Sequence, residues 1–364
     1  MAMVSVQGRI AKASWESLLS FTRQLSEFTP VAISPGRVIT AELEAGLIRI
    51  EGPPAPAPAS AAPGASGQGI GEALVQLRAV NDSNLQNLRD TLAYMLDTTE
   101  EAMSARLTWF DAGGLEGRLS PNFRLARVQD SQRISPQFQR IRLEAEDLGY
   151  LSHTGLHLRL MQPRDPADPQ WPRLAANGRT LWPAADLLHK PVYTTRAINI
   201  CEGWLEVDVY LHGRGPTCAW AKSVRPGDTV GLNGPGGGWK PATPRLCLGG
   251  DETALPVIAR ILAEAGPEVC GQAVIELGDP ADRQDLRAPA GVAIEWLQRG
   301  KDQPLAGRFG DVTAAQLEAD PATGVLFGGE KADAAALRAR LRGALPRLPA
   351  DVTLAAYWSK TGEV

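Results

Sequence analysis

An aromatic, two hydroxyls and a basic side chain follow one another in the stretch Tyr193-Thr194-Thr195-Arg196. In an extended strand, residues two apart point the same way, so Tyr193 and Thr195 share one face while Thr194 and Arg196 share the other. Such a set can stack a flat ring, hydrogen-bond its polar edge and pair a guanidinium with a phosphate, which are the needs of a flavin nucleotide. Taken alone, the stretch also fits an edge strand with a surface arginine.

A turn from a strand into a helix follows in the stretch Leu211-His212-Gly213-Arg214-Gly215-Pro216-Thr217-Cys218-Ala219-Trp220. Proline suits the first helical turn, and the free backbone N–H groups there bind anions. A pyrophosphate fits this site, and the upstream strand favours that interpretation over an ordinary turn. The candidate cofactor residues of the turn are Leu211, His212, Gly215, Pro216, Thr217 and Trp220.

A third stretch, Gly249-Gly250-Asp251-Glu252-Thr253-Ala254-Leu255-Pro256, predicts a strand, a tight turn and a helix, without the G-x-G-x-x-G spacing. Its two acids suit a helix N-terminus but would repel a dinucleotide phosphate. Glu276 ends the next predicted strand and could hold a ribose hydroxyl, whereas Arg283 and Arg287 could hold a 2′-phosphate. The choice between NADH and NADPH therefore stays open.

Length, composition and charge limit the domain number and the kinds of partner that the chain can have. The chain has 364 residues, 44% of them hydrophobic, and a net charge of −4, so it can form two or three domains with real cores, and nothing in bulk points to nucleic acid. No apolar run approaches the ~20 residues of a membrane span, and the N-terminus lacks a signal pattern. The four cysteines are scattered. We therefore expect no metal site and a cytoplasmic protein.

Residues 1–115 predict a small α+β unit of unknown function. Ser14 can cap a first helix, and Ser83 with Gln86 forms a capping box for a second. Residues 53–69 are almost wholly Pro, Ala, Gly and Ser and predict a disordered insertion. The apolar faces of the two helices and of a β-hairpin are carried by Trp15, Leu18, Leu19, Leu25, Phe28, Ile39, Ala41, Leu43, 47–51, Leu85, Leu88, Leu92, Met95 and Leu96.

Two further units follow. Residues 121–238 contain six short strand patterns joined by turns, which predict an antiparallel β-barrel. Residues 244–364 alternate strands with helices, which predicts an α/β domain with a parallel sheet and ligands at the carboxyl ends of its strands. The predicted barrel strands are 123–130, 138–143, 156–162, 192–200, 204–211 and 229–233. The predicted elements of the last unit are 245–249, 255–265, 273–277, 293–297, 324–328, 332–345 and 352–357.

In this order and spacing, the motifs resemble the siderophore-interacting protein family, flavin-dependent ferric-siderophore reductases of the ferredoxin–NADP reductase-like group. The resemblance covers residues 123–358, and the unit before it is similar to a small domain of unknown function sometimes found beside such reductases. The matching motifs are Tyr193-Thr194-Thr195-Arg196, Asp208-Val209-Tyr210-Leu211-His212, Gly215-Pro216-Thr217, Trp220-Ala221, Arg225-Pro226-Gly227-Asp228, Gly231-Leu232-Asn233-Gly234-Pro235, Gly250-Asp251-Glu252-Thr253-Ala254-Leu255-Pro256, Gly329-Glu330 and Tyr357-Trp358.

The resemblance implies FAD on the strand and the glycine turn, and an NAD(P)H-binding-like lobe that receives NADPH or NADH at Asp251, Glu252, Thr253 and Ala254. The family usually has an arginine two residues before the tyrosine, where this chain has Pro191. Lys190 could supply the charge there, though not the bidentate fork of arginine. The chain also lacks a C-terminal cysteine cluster and so resembles the flavin-only branch.

The implied function is electron transfer from NAD(P)H through FAD to a ferric siderophore, with release of Fe(II). No acid–base pair is required, and Lys331 and Lys360 are candidate contacts to an anionic siderophore. One alternative is a general flavin reductase or a reductase that works with a ferredoxin-like partner. The other is a non-enzymatic siderophore-binding protein whose flavin site has decayed.

Overall fold

Three sheets organise the chain in the computed structural model, which describes residues 3–26, 29–43, 45–55, 70–111, 113–153, 155–237, 243–344 and 351–361. The first is a six-stranded antiparallel sheet, the second an eight-stranded antiparallel sheet and the third a five-stranded parallel sheet. They confirm the predicted fold class of a small α+β unit, a β-barrel and an α/β lobe. Among the described residues, no helix combines the length and the apolar character needed to cross a membrane.

The N-terminal unit packs two helices on one sheet face, with strand order β2-β3-β4-β5-β1-β6. Leu18 and Phe21 of the first helix and Leu88 and Leu92 of the second share a fully buried core with the strands. The long strands β1 and β5 were not predicted. The elements are β1 (Val4–Ser14), α1 (Trp15–Leu25), β2 (Val31–Ser34), β3 (Val38–Leu43), β4 (Gly46–Glu51), β5 (Ile70–Ala79), α2 (Asp82–Thr99), a 3-10 helix (Met103–Arg106) and β6 (Leu107–Trp109).

The two helix starts differ in how well they were predicted. Ser14 caps α1 as expected, because its hydroxyl accepts from the Ser17 N–H at 3.0 Å. The capping box of Ser83 and Gln86 is wrong: α2 begins at Asp82, and the Asn81 side chain accepts from the Asn84 N–H at 2.8 Å. Phe28 and most of the predicted insertion, residues 56–69, lie outside the described residues.

The second sheet runs in the order β12-β9-β16-β7-β8-β15-β14, with β13 also on β9. The six predicted barrel strands are present, and a short hairpin, β10 with β11, lies in the connection before β12. The elements are β7 (Phe123–Ser135), β8 (Phe138–Glu144), α3 (Tyr150–His153), β9 (His157–Pro163), β10 (Arg173–Leu174), β11 (Thr180–Leu181), β12 (Leu188–His189), β13 (Val192–Thr194), β14 (Ala197–Asn199), β15 (Trp204–Tyr210), α4 (Pro216–Ser223) and β16 (Thr229–Gly236).

The predicted strand 192–200 closes this barrel. Its first half, β13, pairs with β9, and its second half, β14, pairs with β15 at the other edge of the sheet. Between them, the Thr195 N–H donates to the Leu156 carbonyl at 2.9 Å and the Arg196 N–H donates to the Glu206 carbonyl at 2.8 Å. Successive amides thus bond to the two opposite edges of the sheet, so the Tyr-Thr-Thr-Arg stretch lies where the barrel closes.

The C-terminal lobe is a parallel sheet in the order β19-β18-β17-β20-β21 with helices on its faces. Every predicted strand and helix of this lobe is present, and α6 is additional. The carboxyl edge of this parallel sheet meets the barrel, where Tyr357 contacts His157. The elements are β17 (Arg245–Gly250), α5 (Leu255–Glu264), β18 (Cys270–Leu277), a 3-10 helix (Pro280–Asp282), β19 (Gly291–Gln298), α6 (Leu305–Ala319), β20 (Gly324–Glu330), α7 (Lys331–Ala344) and β21 (Val352–Trp358).

Candidate functional site

The predicted ring-stacking tyrosine lies against the predicted phosphate turn. Thr217, in the first turn of α4, lies beside the Tyr193 hydroxyl and counteracts the rise in its pKa, and His189 Nε2 lies 2.9 Å from the Thr217 hydroxyl. Burial raises the pKa of Tyr193 to about 12, so its phenol stays neutral at physiological pH. The two stretches that the sequence predicts to hold one cofactor therefore meet at Thr217.

The start of α4 is open to an anion. Gly213 and Gly215 adopt φ values of 92° and 90°, which favour glycine, and Pro216 occupies the first helical turn. Among the described residues, no side chain caps this helix. The first helical hydrogen bond is donated by the Ala219 N–H to the Gly215 carbonyl, at 3.2 Å. The amides before it are the free donors that a phosphate accepts from.

The other predicted residues of the strand and turn have different surroundings. Thr194 and Thr195 are 5% and 1% exposed, so their hydroxyls line a buried part of the closure. Leu211 and Trp220 pack into the barrel core, which gives them a structural role as well. His212 is exposed, with its ring 6.5 Å from that of Tyr210.

Lys190 faces away from this cluster. Its ammonium lies 4.7 Å from the centroid of the Trp182 ring, and alternation along the strand puts it on the face opposite Tyr193. Burial lowers the pKa of Lys190, and the nearby charge of Arg159 acts in the same direction. The predicted role of Lys190 as the charge near the phosphate turn remains a prediction, and its observed partner is an aromatic ring.

Arg196 is positioned by a buried acid. Its Nε lies 3.6 Å from Asp208 Oδ2, and Asp208 also accepts two hydrogen bonds from Arg140, at 2.7 and 2.8 Å. Burial lowers the pKa of the Arg196 guanidinium, and the Asp208 carboxylate offsets this in part. Arg196 Nε has no hydrogen-bond partner in the described chain, so it has a donor to spare for a bound group.

The acids of the β17–α5 turn bond within the lobe. Asp251 accepts from the Thr253 N–H at 2.8 Å, from the Thr253 hydroxyl at 2.6 Å and from Trp358 Nε1 at 2.6 Å. Burial raises the pKa of Asp251. Ala254 is fully buried beside the turn. Asp251 thus ties the turn to the end of β21.

Glu252 has an arginine partner that the sequence did not predict. Arg299 donates to both of its oxygens, at 2.9 and 2.6 Å, and to Glu276 at 2.7 Å. Glu276, the candidate ribose ligand, is therefore already paired. Arg283 lies 5.9 Å from the centroid of the Trp296 ring. No local pattern signals Arg299, because it is distant from Glu252 in sequence.

The lobe docks on the barrel through the carboxyl ends of its strands. The Tyr357 hydroxyl lies 3.0 Å from His157 Nε2, with the two rings edge to face. Asp282 accepts from the Ser135 hydroxyl at 2.6 Å and from the Gln137 N–H at 2.8 Å. This edge of the sheet is where ligands bind in such domains, so the junction is a candidate entry for the nicotinamide.

The two lysines proposed for substrate lie at the same edge. Lys331 and Lys360 are exposed, and Lys331 follows Glu330 directly in the chain. Glu330 caps α7 by accepting from the Ala332 N–H at 2.7 Å, and it accepts from the Lys360 N–H at 3.3 Å. The two candidate lysines thus belong to segments that meet at Glu330.

Helix α2 of the N-terminal unit holds the connection that leads to the flavin strand. Asp90 accepts from the Thr180 N–H at 2.9 Å and from the Thr180 hydroxyl at 2.7 Å, and Gln86 donates to the Gly178 carbonyl at 3.0 Å. Ser83 donates to the Pro121 carbonyl at 2.7 Å. The two residues of the predicted capping box therefore fasten the barrel instead.

Comparison with known proteins identifies the last two units. The siderophore-interacting FAD-binding domain matches residues 127–239, and the siderophore-interacting protein domain matches residues 243–361. Ferric vibriobactin reductase ViuB of Vibrio cholerae is 30% identical over 179 residues, which are 47% of this chain and 64% of ViuB. The chain thus spans less than two thirds of the length of this relative.

Two further proteins are similar. The NADPH-dependent ferric-chelate reductase of Escherichia coli is 29% identical over 189 residues, 48% of this chain and 71% of that protein. The crystal structure of a siderophore utilization protein from T. fusca is 28% identical, with a TM-score of 0.55 over 66% of this chain and 94% of that chain. Because the matched barrel is an FAD-binding domain, the predicted flavin is FAD. From residue 127 to residue 361, this chain belongs to the siderophore-interacting protein family.

Proposed function

We propose that this chain is a ferric-siderophore reductase, an NAD(P)H-dependent flavin oxidoreductase that delivers electrons to siderophore-bound Fe(III) and releases Fe(II). The observation that carries the proposal is the meeting of Tyr193 with the uncapped start of α4 in the FAD-binding barrel. FAD, when bound, supplies the redox centre that converts a hydride donor into a source of single electrons.

The residues around Thr217 fit an FAD molecule. Tyr193 offers a ring for stacking, and the free amides of α4 offer donors to the pyrophosphate. Of the buried donors that have no hydrogen-bond partner among the described residues, two belong to the flavin strand or to its neighbour β9, Arg196 Nε and Gln162 Nε2, and a ligand rich in acceptor oxygens would satisfy them. Thr194 and Thr195, which follow Tyr193 directly, are also buried.

The ferric substrate is supported by two relatives, which are named a ferric vibriobactin reductase and a ferric-chelate reductase. Lys331 and Lys360 are exposed at the lobe edge and would attract an anionic chelate. Reduction of iron needs no proton from the protein. Once reduced, the softer Fe(II) is held less well by hard oxygen donors, which favours release.

We propose NADPH or NADH as the electron donor, with the lobe edge near Tyr357 as its entry, and a ferredoxin-like protein as the alternative donor. We place the reaction in the cytoplasm. The exposed free thiol of Cys201 supports a reducing compartment. The N-terminal unit is proposed to act as an interaction or regulatory module fastened to the barrel by α2.

An anaerobic absorbance titration tests the function. The purified full-length protein, loaded with FAD, receives NADPH or NADH and then a ferric siderophore, with a ferrous chelator present to report iron release. We expect the flavin bands to bleach with a nicotinamide and to return with the ferric complex. Bands that no nicotinamide bleaches would move the donor role to a ferredoxin-like protein. A protein that binds no FAD would leave only the siderophore-binding alternative.

A further inference from the structure

In the part of the chain that the structure describes, His189 is the side chain within hydrogen-bond distance of Thr217 that can carry a positive charge. Among the described residues, Thr217 is contacted by the Tyr193 hydroxyl and by His189 Nε2, and the residue midway between these two on the strand is Pro191. We propose that protonated His189 is the cationic contact to the FAD pyrophosphate, so that FAD binding takes up a proton. This inference rests on the proposed FAD site.

The strand register places His189 on the correct face. His189 is paired with Gln162 across β9, and Val192 is paired with Arg159, so both halves of the strand keep one register past Pro191. Residues 189, 191 and 193 therefore share a face, which is the face that meets Thr217. Lys190 belongs to the opposite face and lies over Trp182.

A second donor lies directly across from His189. Gln162 is 5% exposed, and its Nε2 has no hydrogen-bond partner in the described chain. Cross-strand partners project to the same side of a sheet, so this amide shares the face of the His189 ring. A buried donor without an acceptor points to a ligand that brings oxygen atoms to this place.

Burial, with a smaller contribution from a nearby arginine, favours neutral His189 until an anion binds. Burial lowers the pKa of His189, and the Arg164 guanidinium acts in the same direction. Its neighbours on the same face are Gln162, Thr217 and Tyr193, none of which carries a charge at neutral pH. A bound diphosphate would raise the pKa of His189 and turn its ring into a two-donor imidazolium.

FAD affinity depends on pH because the pKa of His189 differs between the free and the FAD-bound protein. Because the bound form has the higher pKa, FAD affinity is greatest below the pKa of the free protein. It falls as the pH rises through the pKa of the bound form. The slope approaches about tenfold in Kd per pH unit for a single proton.

The test measures the Kd of FAD for the flavin-free full-length protein by fluorescence quenching, between about pH 6 and pH 8. We expect the wild-type Kd to rise with pH. His189→Gln keeps a side chain that can bond Thr217 but carries no charge, and its Kd should be weak and flat. His189→Arg should bind tightly and without pH dependence. Lys190→Gln, the matched control on the other face, should keep the wild-type slope.

Calorimetry in two buffers of different ionisation enthalpy adds a direct count of protons. We expect uptake with the wild type and none with His189→Gln. A wild-type Kd independent of pH, or a slope that survives in His189→Gln, would overturn the inference while leaving FAD binding intact. Absence of FAD binding at every pH would overturn the inference and the proposed function together.

Discussion

The barrel is held on two sides by contacts of different chemistry. On the N-terminal side, carboxyl and amide groups of α2 bond the backbone and hydroxyl of one barrel loop, as Asp90 does with Thr180. On the lobe side, Tyr357 meets His157 at a sheet edge that also receives ligands. The first contact consists of hydrogen bonds between buried polar groups, and the second borders the candidate entry for the nicotinamide. Of these two barrel contacts, we therefore expect the α2 contact to contribute more to stability and the Tyr357 contact to contribute more to electron transfer.

The largest effect is expected inside the lobe, with Arg299→Ala. Glu252 is 3% exposed, and removing Arg299 leaves its charge without a cation, so we expect the free energy of unfolding to fall by about 3 kcal/mol. Urea denaturation followed by tryptophan fluorescence measures this. Arg308→Ala is the matched control, because its partner Glu295 has a side chain that is 29% exposed, so losing this pair should cost less than about 1 kcal/mol. Equal losses in the two variants would contradict the distinction.

On the other side of the barrel, we expect Asp90→Ala to lower the free energy of unfolding by about 2 kcal/mol, because it removes two hydrogen bonds from Thr180 and leaves the Thr180 N–H without its acceptor. Amide exchange should rise in the β10–β11 hairpin, while FAD affinity changes little. Glu72→Ala, which removes an exposed pair with Arg9, is the control and should have almost no effect. A large loss of FAD affinity in Asp90→Ala would show that the two sides are not separable.

At the junction itself, Tyr357→Phe keeps the ring and removes only the hydroxyl that contacts His157. We expect the free energy of unfolding to fall by about 1 kcal/mol. The rate of flavin reduction by NADPH should fall by more than this free energy corresponds to. Stopped-flow absorbance and urea denaturation separate the two quantities. An unchanged reduction rate would argue that the junction is as purely structural as the α2 contact.

The smallest effect concerns pH. Burial raises the pKa of Asp90, so the folded protein binds this proton more tightly than the unfolded chain does. The stability from that raised pKa is present at low pH and is lost as the pH rises through the folded pKa. Asp90→Asn should therefore gain stability relative to the wild type as the pH rises from about 4. Urea midpoints at several pH values check the sign, and a constant difference would contradict it.

Much of the fold was predictable because it rests on local periodicity. The apolar stripe of α1 and its Ser14 cap were recognised, as was the alternation of strands and helices from β17 to β21. The capping box at Ser83 was wrong although its pattern was sound. Asn81 lies two residues earlier and supplies the cap, which left Ser83 and Gln86 for the barrel.

The sequence by itself determined which residue types stand in the site: an aromatic, threonines and an arginine on one strand, and a glycine turn before a helix. The tertiary structure decided their partners. In the folded chain, His189 contacts Thr217 and Lys190 lies over the Trp182 ring. Glu252 pairs with Arg299. The physical reason is that periodicity is set by neighbours along the chain. The partner of a buried polar group is instead set by strand register and by which distant group arrives beside it.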